Sequence, residues 1–348
     1  MALPTSPRGS APLSPRQQRR PPLPPGSPGG GSAPPPAAPA AGFKLTSTAP
    51  VARGPDIWTL DGRLEGSWGV SSFPVRMTIV RSGGGQGDAP LLLVSSFPPD
   101  ARVLELLRPL GQVRLVLAPN AAHCLWGAAM RDACPGVLLA GPPNAAARHP
   151  DICWDALVKT PTDFRTLLMR QGFSAADLRA WTTCKASPWL QEVPLLHKPS
   201  RTLILTDLAF NFKLSGGETP LPGGPLGFLM RTLYLPLVGG YRPCCVTKPF
   251  GLSFLLPDAD AMCTVMQEIV ATDFDQVIMA HGDVVCSPGG KAAFQQGSVA
   301  FFQEVAERRR QQQEAGGAGP SRATLLVAAG AVSAAAAAVA VLRWRASR

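Results

Sequence analysis

The sequence predicts an α/β domain of two sheets with helices outside them, followed by a single membrane-spanning helix. Three observations carry this. Within residues 56–305, short apolar runs at strand spacing alternate with stretches whose apolar residues recur every three or four positions. Turn-forming residues join several of the runs in pairs, which signals hairpins feeding two sheets. Beyond them, residues 323–342 form a run of 20 positions without one charge.

The elements follow in order. Runs at 75–80 and 91–96 flank Ser82-Gly83-Gly84-Gly85-Gln86-Gly87-Asp88 and read as a hairpin. Asp100 suits a helix N-cap, and Val103, Leu106, Leu107 and Leu110 then recur at helical spacing. Residues 113–118 read as a buried strand, 122–132 as a helix and 137–140 as a strand. A second hairpin joins 193–196 to 202–206 through Lys198-Pro199-Ser200. Asp258 opens a helix carrying Met262, Val265, Met266 and Ile269, and a strand follows at 276–280. Residues 143–192 and 213–257 are loop-rich and receive no assignment.

The two ends differ in kind from this middle. Apolar residues make up 45% of the 348, enough for a full core. Residues 1–55 carry Arg8, Arg16, Arg19, Arg20, Lys44 and Arg53 and no acid. Rich in Pro, Ala, Gly and Ser, they read as a disordered leader, either a plain tail or an organelle transit peptide. Arg322, Arg343, Arg345 and Arg348 supply the rest of the net charge of +10, so residues 56–321 are electrically balanced. A nucleic-acid binder would carry its basic patch on the folded domain, and that class is excluded.

A helix of 20 residues spans about 30 Å, the thickness of a bilayer's hydrocarbon core. Arg322 bounds the run at 323–342 on one side, and Arg343, Trp344 and Arg345 on the other, which suits the headgroup zone. Residues 306–322 read as a linker and 343–348 as a basic tail, so the expected arrangement is a tail-anchored membrane protein. The eight cysteines form no C-x-x-C pair and read as reduced thiols.

Four histidines remain as chemistry. His149 sits in a loop and is set aside. His123 comes shortly after the strand at 113–118, His197 ends the strand at 193–196, Asp207 ends that at 202–206, and His281 ends that at 276–280. Strand ends of an α/β fold converge on one edge, where such folds bind ligands. Imidazoles with a carboxylate suit zinc, iron or manganese. The blander alternatives are a buried, satisfied His197 and an Asp207 that caps its own turn.

The loop at His123, the turn His197-Lys198-Pro199-Ser200, the segment ending at Asp207 and Met279-Ala280-His281-Gly282-Asp283 resemble the metallo-β-lactamase superfamily. Ile57-Trp58-Thr59, Val75-Arg76-Met77-Thr78, Pro119-Asn120-x-x-His123, Pro199-Ser200-Arg201-Thr202-Leu203, Thr206-Asp207-Leu208-x-Phe210-Asn211 and Ala280-His281-Gly282-Asp283 are more closely similar to its branch called domain of unknown function 4336, from plants, algae and cyanobacteria. The resemblance implies an αββα sandwich over 56–305, with His197, Asp207 and His281 as the later metal ligands. The first ligand loop departs from the family pattern, with Asn120, Ala121 and Ala122 beside a single histidine. What remains is one zinc or iron ion held by His123, His197, Asp207 and His281, with Cys124 beside it and Asp283 orienting His281. Two functions stay open: a membrane-anchored metallo-hydrolase of unknown substrate, or a metal-free relative of the same fold that binds a ligand or partner.

Overall fold

The computed structural model describes residues 42–65, 72–83, 88–188, 191–213, 243–246 and 258–314, together with Gly217, Phe228 and Thr232. Residues 323–342, the expected membrane helix, lie outside these, as do the leader up to residue 41 and most of 213–257. Among the described residues no helix is long and apolar enough to cross a membrane.

The first sheet holds eight strands: β1 (Phe43–Leu45), β2 (Val51–Gly54), β3 (Ile57–Glu65), β4 (Ser72–Arg81), β5 (Pro90–Val94), β6 (Gln112–Leu117), β7 (Leu138–Gly141) and β8 (Ala156–Leu157). They lie in the order β1-β3-β4-β5-β6-β7-β8, with β2 also paired to β3. Pairing is antiparallel as far as β5 and parallel from β5 to β8. The second sheet contains β9 (Leu178–Ala180), β10 (Leu195–His197), β11 (Thr202–Leu205) and β12 (Gln276–Met279), ordered β12-β11-β10-β9. Both expected hairpins form, β4–β5 and β10–β11.

Side-chain alternation shows how the sheets stack. Leu92 and Val94 of β5, Leu115 and Leu117 of β6, Leu195, Ile204 and Ile278 share one buried cluster, so it lies between the sheets. Their neighbours face outward. Leu91 and Leu93 join Val103, Leu107 and Met130 of helices α1 (Ala101–Leu107) and α2 (Gly127–Ala133). Leu203, Leu205, Val277 and Met279 join Met262, Met266 and Ile269 of α5 (Ala259–Val270), Phe294 of α6 (Gly290–Phe294) and Phe302 of α7 (Ala300–Glu314). These central strands therefore feed two apolar layers, which gives the order helix, sheet, sheet, helix.

Local chemistry sets the helix ends. Asp100 caps α1 by accepting the Val103 amide, and Asp258 caps α5 by accepting that of Ala261. The expected helix over 122–132 starts only at Gly127. The reason is Asn120, whose Oδ1 accepts the amides of Ala122 and His123 and keeps that segment a loop.

Three boundaries move. The folded part includes Phe43, inside the expected leader of 1–55, because Phe43 packs against Phe97 and Trp126 and β1 pairs with β3. Helix α7 runs to Glu314, through the first half of the expected linker. Residues 143–192 hold α3 (Pro143–Arg148), β8, α4 (Pro161–Arg170) and β9. A reciprocal cap between Thr160 and Asp163 starts α4.

Candidate metal centre

Strands β11 and β12 are parallel neighbours, so their carboxyl ends emerge side by side and bring Asp207 next to His281. The loop after β6 delivers His123 from the other sheet. Its Nε2 lies 3.2 Å from Nε2 of His281 and 3.5 Å from Oδ1 of Asp207. The third side of the triangle, from His281 Nε2 to Asp207 Oδ1, is 3.6 Å. Among the described residues these three form a group able to grip one ion.

Each donor is aimed by a second contact. His281 Nδ1 donates to the Pro74 carbonyl at 2.9 Å, which leaves the Nε2 lone pair free in the neutral ring. His123 Nδ1 meets the Ser95 hydroxyl at 3.0 Å. Asp207 Oδ2 accepts from Asn120 Nδ2 at 2.8 Å, so Oδ1 is the oxygen that faces the imidazoles. Glu192, fully buried, accepts the amides of Thr206, Asp207 and Leu208 at 2.8, 2.8 and 3.1 Å and fixes the backbone under Asp207. His149, set aside in the sequence, bonds through Nε2 to the Ala121 carbonyl at 2.9 Å and braces the His123 loop.

The turn at His281 is equally constrained. Gly282 adopts φ +87°, and a Cβ there would lie 2.3 Å from the Asn211 carbonyl oxygen, so only glycine fits. Arg76, buried to 2% exposure, donates to the carbonyls of Met279 and Gly282 at 3.0 and 2.6 Å, which bracket His281. Phe73 and Phe210 pack on the His281 ring with centroids 4.8 and 5.6 Å away.

Electrostatics follow from enclosure. Burial works against charge on every member. For His123 the Asp207 charge and hydrogen bond overcome burial, and its pKa rises. His281 is held below the ordinary imidazole value, by burial first and by the neighbouring His123. Burial alone would raise Asp207, but the two histidines bring it well below the usual carboxylate range. Glu192 is pushed up to about 7 by burial and the Asp207 charge, against the amides it accepts.

The expected site is corrected at His197. Strand β10 runs antiparallel to β11, with His197 opposite Thr202 at the start of β11, whereas Asp207 lies beyond its end. At about 3.3 Å per residue the five residues from Thr202 to Asp207 separate the two by roughly 16 Å along the sheet. His197 is instead a buried histidine bonded through Nδ1 to Ser200 Oγ at 2.7 Å. Asp283 does not take the place expected of it: His281 Nδ1 is held by Pro74, and Asp283 pairs with Lys213 at 3.0 Å. Cys124 directs its thiol to the Ala121 carbonyl and is not in the group. The sequence reading assigned neither Glu192 nor Arg76 a role at the site. Arg76 stood in Val75-Arg76-Met77-Thr78, a segment that carries the resemblance, whereas Glu192, a lone acid before a strand, looks like a surface charge.

The donors fit a metal. A tetrahedral ion with nitrogen and oxygen ligands about 2.0–2.1 Å away spaces them about 3.3–3.4 Å apart, and an octahedral one about 2.9 Å. The separations of 3.2, 3.5 and 3.6 Å lie on the tetrahedral side.

The class defined by these features is an α/β protein of two stacked mixed sheets with a buried His–Asp–His donor group at their strand ends. No protein-family profile and no curated protein matches the chain. Among solved structures its fold resembles the metallo-β-lactamase FIM-1 from Pseudomonas aeruginosa in its mono-zinc form, at 12% identity and a TM-score of 0.47 over 76% of this chain and 96% of that one. It also resembles the metal-soaked Flv1 flavodiiron core from Synechocystis sp. PCC6803, at 11% identity and a TM-score of 0.49 over 77% and 63% of the two chains. A third likeness is to a metallo-β-lactamase from Hirschia baltica, at 10% identity and a TM-score of 0.44 over 74% and 98%.

Proposed function

We propose that this chain is a metallo-hydrolase-like protein holding one zinc ion on His123, Asp207 and His281, tethered to an organelle membrane by residues 323–342. The observation that supports the metal is the donor triangle, with its tetrahedral spacing and its two aimed imidazoles. With three protein ligands, zinc supplies Lewis acidity and an activated water near neutral pH, the chemistry that hydrolyses esters, thioesters, amides or phosphoesters. Asn120 and Glu192 hold Asp207, Pro74 sets the His281 tautomer, and Phe73 and Phe210 exclude water from one side of the group.

Metal analysis of the full chain tests this. About one zinc per chain is expected in the wild type and in His197→Gln, and almost none in His281→Ala or His123→Ala. A wild-type content below about 0.2 per chain after zinc exposure overturns the metal. It favours the second reading, a metal-free binding module, whose support is enclosure: Asp207 and His281 are 2% and 6% exposed.

The membrane tether rests on the charge-free run and its Arg-Trp-Arg flank. The acid-free leader supports an organelle, a chloroplast by the sequence resemblance, as the destination. A chain lacking residues 323–348 is expected in the soluble fraction. Unchanged sedimentation with membranes refutes the anchor.

A further inference from the structure

Ser95 sits where β5 ends, beside the loop that carries His123. Its amide still donates to the Leu117 carbonyl at 3.1 Å, so the bonding to β6 runs as far as this residue. Its backbone then turns left-handed, with φ +57°. Outside glycine that conformation is uncommon, and asparagine and aspartate take it more readily than serine does. Backbone held in this way costs energy, and such positions recur at functional sites. A serine here calls for a reason in its side chain. The residue is buried, at 7% exposure, and its Oγ lies 3.0 Å from His123 Nδ1.

This partner differs in kind from the one on the other imidazole. The Pro74 carbonyl only accepts, so His281 keeps its proton on Nδ1 and presents a bare Nε2. That nitrogen lies 3.2 Å from His123 Nε2, and Asp207 Oδ1 lies 3.5 Å from it. Without an ion, both of these neighbours of His123 Nε2 are acceptors. The neutral His123 ring then holds its proton on Nε2, which leaves Nδ1 bare and in need of a donor. With an ion on Nε2 the proton belongs on Nδ1, which needs an acceptor. A hydroxyl is both, and rotation about one bond exchanges the roles. A carbonyl would serve only one of the two states.

We propose that Ser95 is the positioning residue of His123 and that its hydroxyl serves both tautomers, donating to Nδ1 in the metal-free chain and accepting from it once a metal takes Nε2. The inference rests on the metal reading above. It adds the device by which two imidazoles 3.2 Å apart stay hydrogen-bonded in either state. The left-handed turn is what brings the hydroxyl to the ring.

Zinc affinity by chelator competition and stability in urea, both on the full chain, test it. Ser95→Gly relieves the turn and removes the hydroxyl, so stability should hold or rise while zinc affinity falls about tenfold or more. Ser95→Ala removes the hydroxyl and keeps the turn, so both should fall. Ser95→Thr returns the hydroxyl on a β-branched residue, so stability should fall while affinity stays within about threefold of wild type. Affinity that merely follows stability through the three variants overturns the assignment. Nitrogen NMR of the full chain, labelled at its four histidines, reads the tautomer. The His123 proton is expected on Nε2 in the metal-free chain in alkaline solution and on Nδ1 with zinc bound. A proton on Nδ1 in both overturns the two-way role. A wild type that takes up no zinc defeats the metal reading and this inference together, whereas a wild type that binds zinc no better than Ser95→Gly defeats the role of Ser95 alone.

Discussion

Asn120 donates through Nδ2 to Oδ2 of Asp207 at 2.8 Å, while its Oδ1 accepts the backbone amide of His123 at 3.1 Å. One side chain thus sets the distance between two donors that lie on different sheets. It also turns Asp207 so that only Oδ1 is presented to the imidazoles. Asn120→Ala should lower zinc affinity about 10- to 100-fold, the usual effect of removing a group that orients a ligand. Asn120→Asp should be worse, because it sets a carboxylate against Asp207. Chelator competition measures both, and an Asn120→Asp protein that binds zinc as tightly as wild type contradicts the arrangement.

Two Nε2 atoms 3.2 Å apart cannot both present bare lone pairs without repulsion. The His281 tautomer is fixed by Pro74, so in the absence of metal the proton between them belongs to His123, whose pKa is raised. A raised histidine stabilises the fold fully below its unfolded pKa and loses that contribution as pH rises through its folded value. Asp207 is depressed, and its contribution is lost only as pH falls through its own low value. Zinc displaces the His123 proton. Uptake should therefore release about one proton per chain near pH 6, where a zinc-bound water with a pKa of about 7 still keeps its own proton. Titration in weak buffer at that pH measures this, and zinc uptake without proton release contradicts it.

The fold was legible wherever one short segment decides an element. Asp100 and Asp258 announced their helices, and the turn Lys198-Pro199-Ser200 announced its hairpin. The short apolar run over 113–118 announced the buried strand β6. Two of the three donors after apolar strands, Asp207 and His281, were also legible, because parallel strands carry their carboxyl ends to one edge. His197 failed for a reason no run of residues reveals: a hairpin reverses direction, so the end of β10 is the start of β11. Glu192 and Arg76 are defined by partners 15 and 206 positions away, so nothing local gave either a role at the site, although Arg76 sits in a segment that carries the resemblance. Phe43 was hidden by the composition of the residues before it.

His197 gives a separate handle on pH. Burial lowers its pKa from 6.5, against the pull of Asp177 and Asp56. A depressed histidine takes up protons in the unfolded chain first, so stability falls as pH drops below 6.5 and levels off below the folded value. His197→Gln removes that contribution. Between pH 7.5 and pH 5 its Tm should fall less steeply than that of the wild type. Parallel slopes would show that His197 is not titrating in this window.

Arg76 joins the two sheets at the metal centre. Its Nε pairs with Asp61 at 2.8 Å, and its Nη1 reaches the two carbonyls that bracket His281. The side chain is 1% exposed and Asp61 only 17%, so removing the cation leaves a poorly solvated carboxylate behind. Arg76→Met should cost about 3–5 kcal/mol of stability in urea, as breaking a buried pair does. Joining it with Asp61→Leu removes the stranded charge and should recover much of that loss. Zinc affinity should not recover, because the carbonyls of Met279 and Gly282 still lack their donor and the His281 turn is still loose. A double variant that regains both stability and zinc would mean that Arg76 serves the sheets alone and not the site.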